Sequence, residues 1–249
     1  MFKATLENIE LFRTALSCVA ELISEGIFKA EKDGISLKVA APTMVTLIDF
    51  KFLATEFQKY DLKGTVEIPL NIENLLSFLK RARSDDKVTF ELDAESNKFK
   101  ITLEGNSTRN FTLPLIEIDN ANTPSMNLNF GAKVDIKASV IEDGIGDADI
   151  ITDTIILSAE KDKFIISAAG DTSKTELILS KDSDDLIKLD IEEPVKSKFS
   201  LDYLKKIIKA SKITDSVSLG IGNDYPLEII FRKLDKVQIS YILAPRVED

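Results

Sequence analysis

The sequence contains no histidine, no tryptophan and one cysteine among its 249 residues. Without histidine it lacks the usual general base, the commonest metal ligand and every Ser-His or Cys-His nucleophile pair. A lone cysteine forms no internal disulfide and, with no histidine beside it, builds no tetrahedral zinc site of the N/S type. Cys18, among Leu16, Val19 and Leu22, reads as a small buried apolar residue, in keeping with a reducing compartment. No apolar run approaches the roughly 18 residues of a membrane span. The opening MFKATLENIE has no charged-then-apolar secretion signal, so the expected location is cytoplasmic. No catalytic, cofactor-binding or metal-binding residue stands out, and any enzyme would have to work with carboxylates, lysines and hydroxyls.

What is present is an ordinary globular balance of 44% hydrophobic and 30% charged residues at a net charge of −10, enough for one or two domains with a sizeable core. The letters AEKD occur at 30–33 and again at 159–162, an offset of 129. Without a gap, the same offset lays IFKAEKDGISLKVAA (27–41) over IILSAEKDKFIISAAG (155–170), with Ile27 on Ile156, Ile35 on Phe164 and Leu37 on Ile166. It also lays LNIENLLSFLKRARSDDKVTFEL (70–92) over FSLDYLKKIIKASKITDSVSLGI (199–221). There Leu75 meets Leu204, Lys80 meets Lys209, Arg83 meets Lys212 and Val88 meets Val217. Two segments keeping one offset and one hydrophobic phase indicate two similar halves, 1–116 and 133–249, joined by a connecting loop over 117–132.

Each half reads as strand, helix, hairpin, helix and further strands. Ile9, Phe12, Leu16, Val19 and Ile23 recur at helical spacing and predict a helix over 8–23. Lys32, Asp33 and Gly34 mark a hairpin turn, and Ile72, Leu75, Leu76 and Leu79 mark a second helix. KASVIEDGIGDADII has helical spacing at Val140, Ile141 and Ile145, although Gly144 and Gly146 each cost about 1 kcal/mol against alanine in a helix interior. The fold class is α+β, with two helices per half on antiparallel strands. The joining segment, rich in Asn and carrying Pro124, reads as a long surface connection.

The segment SLDYLKKIIKASK, 200–212, predicts a helix with an apolar stripe of Leu201, Leu204, Ile207 and Ile208. Lys205, Lys209 and Lys212 follow at i, i+4 and i+7 away from it, with Lys206 beside them. The equivalent helix of the first half presents Lys80, Arg81 and Arg83. The first helix offers Arg13, and the third offers Lys137 followed by Glu142, Asp143, Asp147 and Asp149. Residues 1–124 carry 15 basic and 19 acidic side chains and residues 125–249 carry 17 and 23, so both halves are acidic and charge is segregated by surface. A basic face on an acidic protein suits a polyanion, and helix-borne cations give backbone contact without base reading. Contacts of that kind give dissociation constants of roughly 10⁻⁴ to 10⁻⁶ M, so retention on DNA would need something other than affinity, such as encirclement.

Taken together, MFKA, EKDGISLKVAAPTMVTLIDF, the repeated helices, FSLDYLKKIIKAS and the C-terminal ILAPRVED resemble DNA sliding clamps of the PCNA type, most like those of archaea, over the whole chain. The resemblance implies two clamp-type domains and a head-to-tail ring of three chains. Strands would lie outside and helices would line the hole. The implied function is that of a DNA polymerase processivity factor in a prokaryotic cell, encircling duplex DNA at the replication fork and tethering replication and repair enzymes. On this reading it would not be an enzyme and would need no cofactor. Arg13, Lys80, Arg81, Arg83, Lys205, Lys206, Lys209 and Lys212 would face DNA, with Lys137 beside them. The acids of the third helix place most of that contact on the second helix of each half. A separate ATP-driven loader would open the ring, because the chain has no phosphate-binding Gly-x-x-x-x-Gly-Lys-Ser/Thr loop. Polymerase, clamp loader, flap endonuclease and ligase would dock short motifs on Ala40, Met44, Val45, Leu47, Met126, Leu128, Pro226, Ala244, Pro245, Arg246 and Val247. Met and small apolar residues suit such an adaptable groove, with Leu47 the one expected to be core. Ring contacts would come from the edge strands TRNFTLPL (108–115) and SKTELILS (173–180), through Arg109, Phe111, Leu113, Thr175, Leu177 and Leu179. Homomeric and heteromeric rings both remain open.

Two other readings stand beside this one: a clamp-shaped interaction scaffold not used in replication, and a carboxylate-based metal-dependent hydrolase built on EDGIGDADIITD, 142–153. The second run fails the calcium-loop pattern, since Ala148 and Thr154 occupy the positions that need Gly and Glu when counted from Asp143. It also misses the dinucleotide fingerprint, with Asp149 where the third glycine belongs.

Overall fold

Alternating apolar side chains become strands wherever the sequence predicts them. The computed structural model describes residues 1–118 and 127–246. The first repeat contains β1 (Phe2–Leu6), α1 (Glu10–Ala20), β2 (Glu25–Glu31), β3 (Gly34–Ala40), β4 (Thr46–Leu53), β5 (Lys59–Leu62), β6 (Val66–Asn71), α2 (Ile72–Leu79), β7 (Lys87–Asp93), β8 (Lys98–Glu104) and β9 (Thr108–Pro114). The second contains β10 (Ala132–Lys137), α3 (Ala138–Ile151), β11 (Thr154–Glu160), β12 (Lys163–Ala169), β13 (Lys174–Ser180), β14 (Leu186–Ile191), β15 (Val195–Ser200), α4 (Leu201–Ile207), β16 (Ser216–Ile221), β17 (Leu227–Lys233) and β18 (Val237–Leu243). The order of strands and helices is the same in both, so the offset of 129 carries a repeated topology as well as a repeated hydrophobic phase.

Spatially the chain forms two compact units, one of Met1–Pro42, Ile48–Thr123 and Lys233–Ile239, the other of Thr43–Leu47, Pro124–Arg232 and Ser240–Asp249. In the first repeat, strands run in the order β5-β1-β7-β8-β9 and, separately, β4-β3-β2-β6. In the second they run β14-β10-β16-β17-β18 and β13-β12-β11-β15, which repeats both orders. Strand β1 pairs antiparallel with β7: Phe2 lies opposite Leu92 and Ala4 opposite Phe90, while Thr5 and Thr89 face each other and hydrogen-bond through their hydroxyls at 3.1 Å. The β2–β3 hairpin turns where the sequence predicts. Gly34 has φ +140°, and a Cβ there would stand 2.1 Å from the Phe52 carbonyl oxygen, so only glycine fits.

Each unit buries its own helices. Phe12, Ala15, Leu16, Cys18 and Val19 of α1 and Ile72, Leu75, Leu76 and Leu79 of α2 are buried, and Phe12 meets Phe50, Phe52 and Phe90 edge-on or tilted. The α1 helix is shorter than predicted. Asn8 Oδ1 accepts the Glu10 amide at 2.8 Å, which sets the start after Ile9, and the chain turns at Glu21. The helix with two internal glycines, α3, is the longest of the described helices. Gly144 lets it approach β12, where Ile166 packs against it.

The predicted helix over 200–212 changes character midway. It is α-helical over Leu201–Ile207 and continues as a 3-10 helix over Ile208–Ile213. The buried side chains explain the change: Leu201, Leu204, Ile207, Ala210 and Ile213 recur every third residue, the period of a 3-10 helix. Ile208, placed in the apolar stripe by sequence, is half-buried.

Candidate nucleic-acid interface

The tightened helix redistributes its lysines. Lys206, Lys209 and Lys212 are exposed at every third residue and share one face, in place of the predicted i, i+4, i+7 set. Lys205 falls outside that row. Its ammonium is 2.8 Å from the Asp149 carboxylate on α3, and this hydrogen bond holds its pKa above the ordinary lysine value.

In the first repeat, Lys80, Arg81 and Arg83 are exposed but do not lie on α2, which ends at Leu79. They sit on the turn leading to β7. The Arg81 and Ala82 amides donate three residues back, to the Phe78 and Leu79 carbonyls, and this winds the chain out of the α-helix. Arg13 stands behind the turn, half-buried. Its guanidinium is paired with Glu10 and donates to the carbonyls of Leu79 and Ala82, at 3.5 and 3.2 Å, where a cation is favoured at a helix C-terminus. Lys137 ends β10 immediately before α3. It pairs with Asp185 at 2.6 Å, and that hydrogen bond raises its pKa. Among the described residues, Lys80, Arg81, Arg83, Lys206 and Lys212 have no ion-pair partner.

The acidic run 142–153 lies mostly on α3, with Glu142, Asp143, Asp147 and Asp149 exposed. Among the described residues no group of three or more His, Cys, Asp or Glu side chains stands close enough to hold a metal ion. No described helix is long and apolar enough to cross a membrane.

Of the predicted docking residues, Met126 and Val247 lie outside the described residues. Met44 is 72% exposed at φ +58°, and Val45 and Pro226 are half-buried. Leu47 is core, as expected. The Val45 carbonyl accepts the Ala244 amide at 2.9 Å, so two segments far apart in sequence meet within the second unit. Pro245 is half-buried and Arg246 is exposed. Arg246 donates its amide to the Lys198 carbonyl and its guanidinium to Thr154 Oγ1, and it pairs with Asp153 at 2.8 Å, which lowers the Asp153 pKa. Ala40, half-buried at the end of β3, belongs to the first unit. Leu128 lines an open depression with Asn127, Asn129, Phe130, Lys133, Glu228 and Ile242. Sequence reasoning missed the last four. The signal was faint: Lys133, Glu228 and Ile242 are outward-facing positions on three different strands, which no local pattern groups. Burial raises the Glu228 pKa, and Lys133 opposes that shift.

The two predicted edge strands end their sheets: β9 has β8 as its neighbour and β13 has β12. They carry the same sequence of exposed, half-buried and buried positions. Leu113 and Leu179 are buried in their own sheets, while Phe111, Thr175 and Leu177 are half-buried. Phe111 stacks on Phe78 of α2 at 4.8 Å. Ile178, 53% exposed on β13, is an apolar edge residue the sequence reading passed over. Arg109 is engaged within its own unit by Asp86 and the Arg81 carbonyl.

A doubled α+β unit with two antiparallel sheets and two helices per repeat is thus in place, with unpaired cations beside its helices. Models of the N-terminal and C-terminal domains of proliferating cell nuclear antigen match residues 1–123 and 126–246, so the chain belongs to that family. It is 31% identical over 248 residues to the DNA polymerase sliding clamp of Pyrococcus furiosus, covering 100% of this chain and 99% of that one. It is 32% identical over 246 residues to that of Nanoarchaeum equitans, at 98% and 99% coverage. The crystal structure of PCNA from Thermococcus kodakaraensis superposes with a TM-score of 0.88 at 25% identity, covering 99% of this chain and 100% of that one.

Proposed function

We propose that this chain is a DNA polymerase sliding clamp, a processivity factor that encircles duplex DNA and tethers enzymes to it without catalysing a reaction itself. The observation that carries this reading is the full-length match to proteins named as sliding clamps, on a fold whose free cations lie beside its helices while the chain as a whole is acidic. Lys80, Arg81, Arg83, Lys206 and Lys212 are the cations available for phosphate, joined by Lys209. Arg13, Lys137 and Lys205 are cationic too, but each is held in a pair of its own. Contacts of this kind are weak and exchangeable, so sliding is compatible with retention if the ring is closed.

Closure requires the open strand edges to be covered. The strands β9 and β13 each present an unpaired row of backbone groups, and antiparallel pairing of one chain's β9 with the next chain's β13 would remove both edges at once. Three chains so joined would give the ring, with Phe111, Leu177 and Ile178 at the contact. Polymerase, loader, flap endonuclease and ligase would dock motifs on Met44, Val45, Leu128, Pro226 and the segment Ala244–Arg246, with the depression around Ile242 extending that surface.

The test has two parts. Light scattering over a concentration series should give three chain masses, and a loader-dependent polymerase assay on primed circular DNA should show longer products when the chain is added. A trimer that leaves product length unchanged would leave a clamp-shaped scaffold in its place. A persistent monomer that gains mass only when mixed with sister subunits would make the ring heteromeric.

A further inference from the structure

The turn that carries Lys80, Arg81 and Arg83 is fastened by groups that sequence reasoning assigned elsewhere. Asp86, at its far end, is 2% exposed, an unusual place for a carboxylate. Its Oδ2 accepts the Arg83 amide at 2.9 Å and one guanidinium nitrogen of Arg109. The other terminal nitrogen of Arg109 donates to the Arg81 carbonyl at 2.8 Å. The space for the carboxylate exists because residue 105 is glycine: a Cβ there would stand 2.1 Å from Asp86 Oδ1. One planar fork therefore grips the turn at two points, the Arg81 carbonyl and the carboxylate that binds Arg83, a use of the rigid guanidinium that lysine cannot copy.

Arg109 lies on β9, a strand that ends its sheet. The edge and the cationic turn are thus joined by a single side chain. The second repeat carries no carboxylate–guanidinium pair at the matching positions. The offset of 129 places Asp215 opposite Asp86 and Gln238 opposite Arg109, and Asp215 is exposed. Its cations instead ride on α4 and its 3-10 extension.

We propose that Asp86 and Arg109 are a positioning pair that holds Lys80, Arg81 and Arg83 in register with the DNA backbone and makes this contact depend on the state of the β9 edge. The proposal rests on the clamp reading above. With its outer edge unpaired, the strand bearing Arg109 is held on one side only, by β8, and the turn it grips is less constrained. With β9 paired to a second copy, Arg109 is fixed and the three cations are presented together. Phosphate contact by the first repeat would then be completed only in the closed ring.

The sign of one substitution isolates this effect. Asp86→Asn removes a negative charge, so general electrostatics predicts tighter DNA binding. Positioning predicts the reverse. The measurement is the salt dependence of binding to a short fluorescent DNA duplex, with assembly mass and melting followed in parallel. Each phosphate contact contributes about 0.9 to the slope of log K against log salt. Neutralising Lys80, Arg81 and Arg83 to Gln should lower the slope by up to about 2.7. Asp86→Asn should lower it by about 1 with mass unchanged, and should add nothing in the triple-neutralised background. If the triple variant binds as the parent does, the clamp-face reading fails. If it loses slope while Asp86→Asn keeps or gains it, or if the two effects add, the positioning pair is refuted. Loss of the assembled mass with an unchanged slope per ring would make the pair an assembly contact and would likewise refute it. Should Asp86→Asn fail to fold, Arg109→Lys serves: it keeps the charge but lacks the fork, and the same loss of slope is expected.

Discussion

Two glycines two positions apart on α3 should respond to alanine with opposite signs. A Cβ at Gly146 meets nothing within 4 Å, and the position is exposed. Alanine there gains helix propensity, about 1 kcal/mol. A Cβ at Gly144 would lie 2.8 Å from Ile166 Cδ1, 2.8 Å from its Cγ2 and 3.2 Å from its Cβ. The last two atoms are fixed close to the β12 backbone on a β-branched side chain with little rotamer freedom, so they cannot swing away. Alanine at 144 gains the same propensity but overpacks the helix–sheet contact, at roughly 1–3 kcal/mol. Gly146→Ala should therefore raise stability by about 1 kcal/mol and Gly144→Ala should lower it by about 1 kcal/mol. For a chain of this size that separates their melting temperatures by roughly 4–8 °C. Thermal melts of the two variants beside the parent are sufficient. A Gly144→Ala protein that melts as high as Gly146→Ala would refute the claim that close approach to Ile166 is why glycine stands there.

Three further outcomes follow from the same geometry. Asp149→Asn removes the nearer acid from Lys205 and leaves Asp202 at 3.9 Å, so the slope of log K against log salt for duplex DNA should steepen by up to about 0.9, and Lys205→Gln in that background should restore it; an unchanged slope would show that Lys205 does not reach phosphate. Leu177→Lys puts a charge on the β13 edge and should shift the light-scattering mass from three chains toward one with the far-ultraviolet circular dichroism retained; an intact assembly would move the contact elsewhere. Glu228 has its pKa raised by burial, so the folded state holds its proton more tightly than the unfolded chain, and its ionised form destabilises the fold above the ordinary glutamate range. Glu228→Gln should raise the melting temperature at neutral pH by an increment that shrinks as pH falls through the raised pKa; an increment independent of pH would point to packing instead.

Much of the fold is legible in the sequence, and for a local reason. Strand and helix periods are written in neighbouring residues, so Ile72, Leu75, Leu76 and Leu79 announce α2, and Lys32 to Gly34 announce the β2–β3 turn. The offset of 129 was enough to foresee that whatever topology the first half took, the second would take too. Helix ends were less legible. The helix termini at Glu10 and Leu79 depend on Asn8 and on the Arg13 guanidinium, the second of which arrives from another helix. The row Leu201, Leu204, Ile207, Ala210, Ile213 could have disclosed the 3-10 continuation, because the period of three is in the sequence; Ile208 at a helical spacing concealed it.

By itself, then, the sequence determined the doubled α+β plan, the absence of histidine chemistry and the placement of cations beside the second helix of each half. Those follow from composition, periodicity and repetition, which need no knowledge of what lies across space. Only the tertiary structure decided which cations are free. Arg13, Lys137, Lys205 and Arg109 look alike on paper to Lys80, Arg83 and Lys206, yet the first four meet Glu10, Asp185, Asp149 and Asp86 and the others meet no acid among the described residues. Most of those partners lie tens of residues away, and a charge acts on whatever the fold brings within a few ångströms of it.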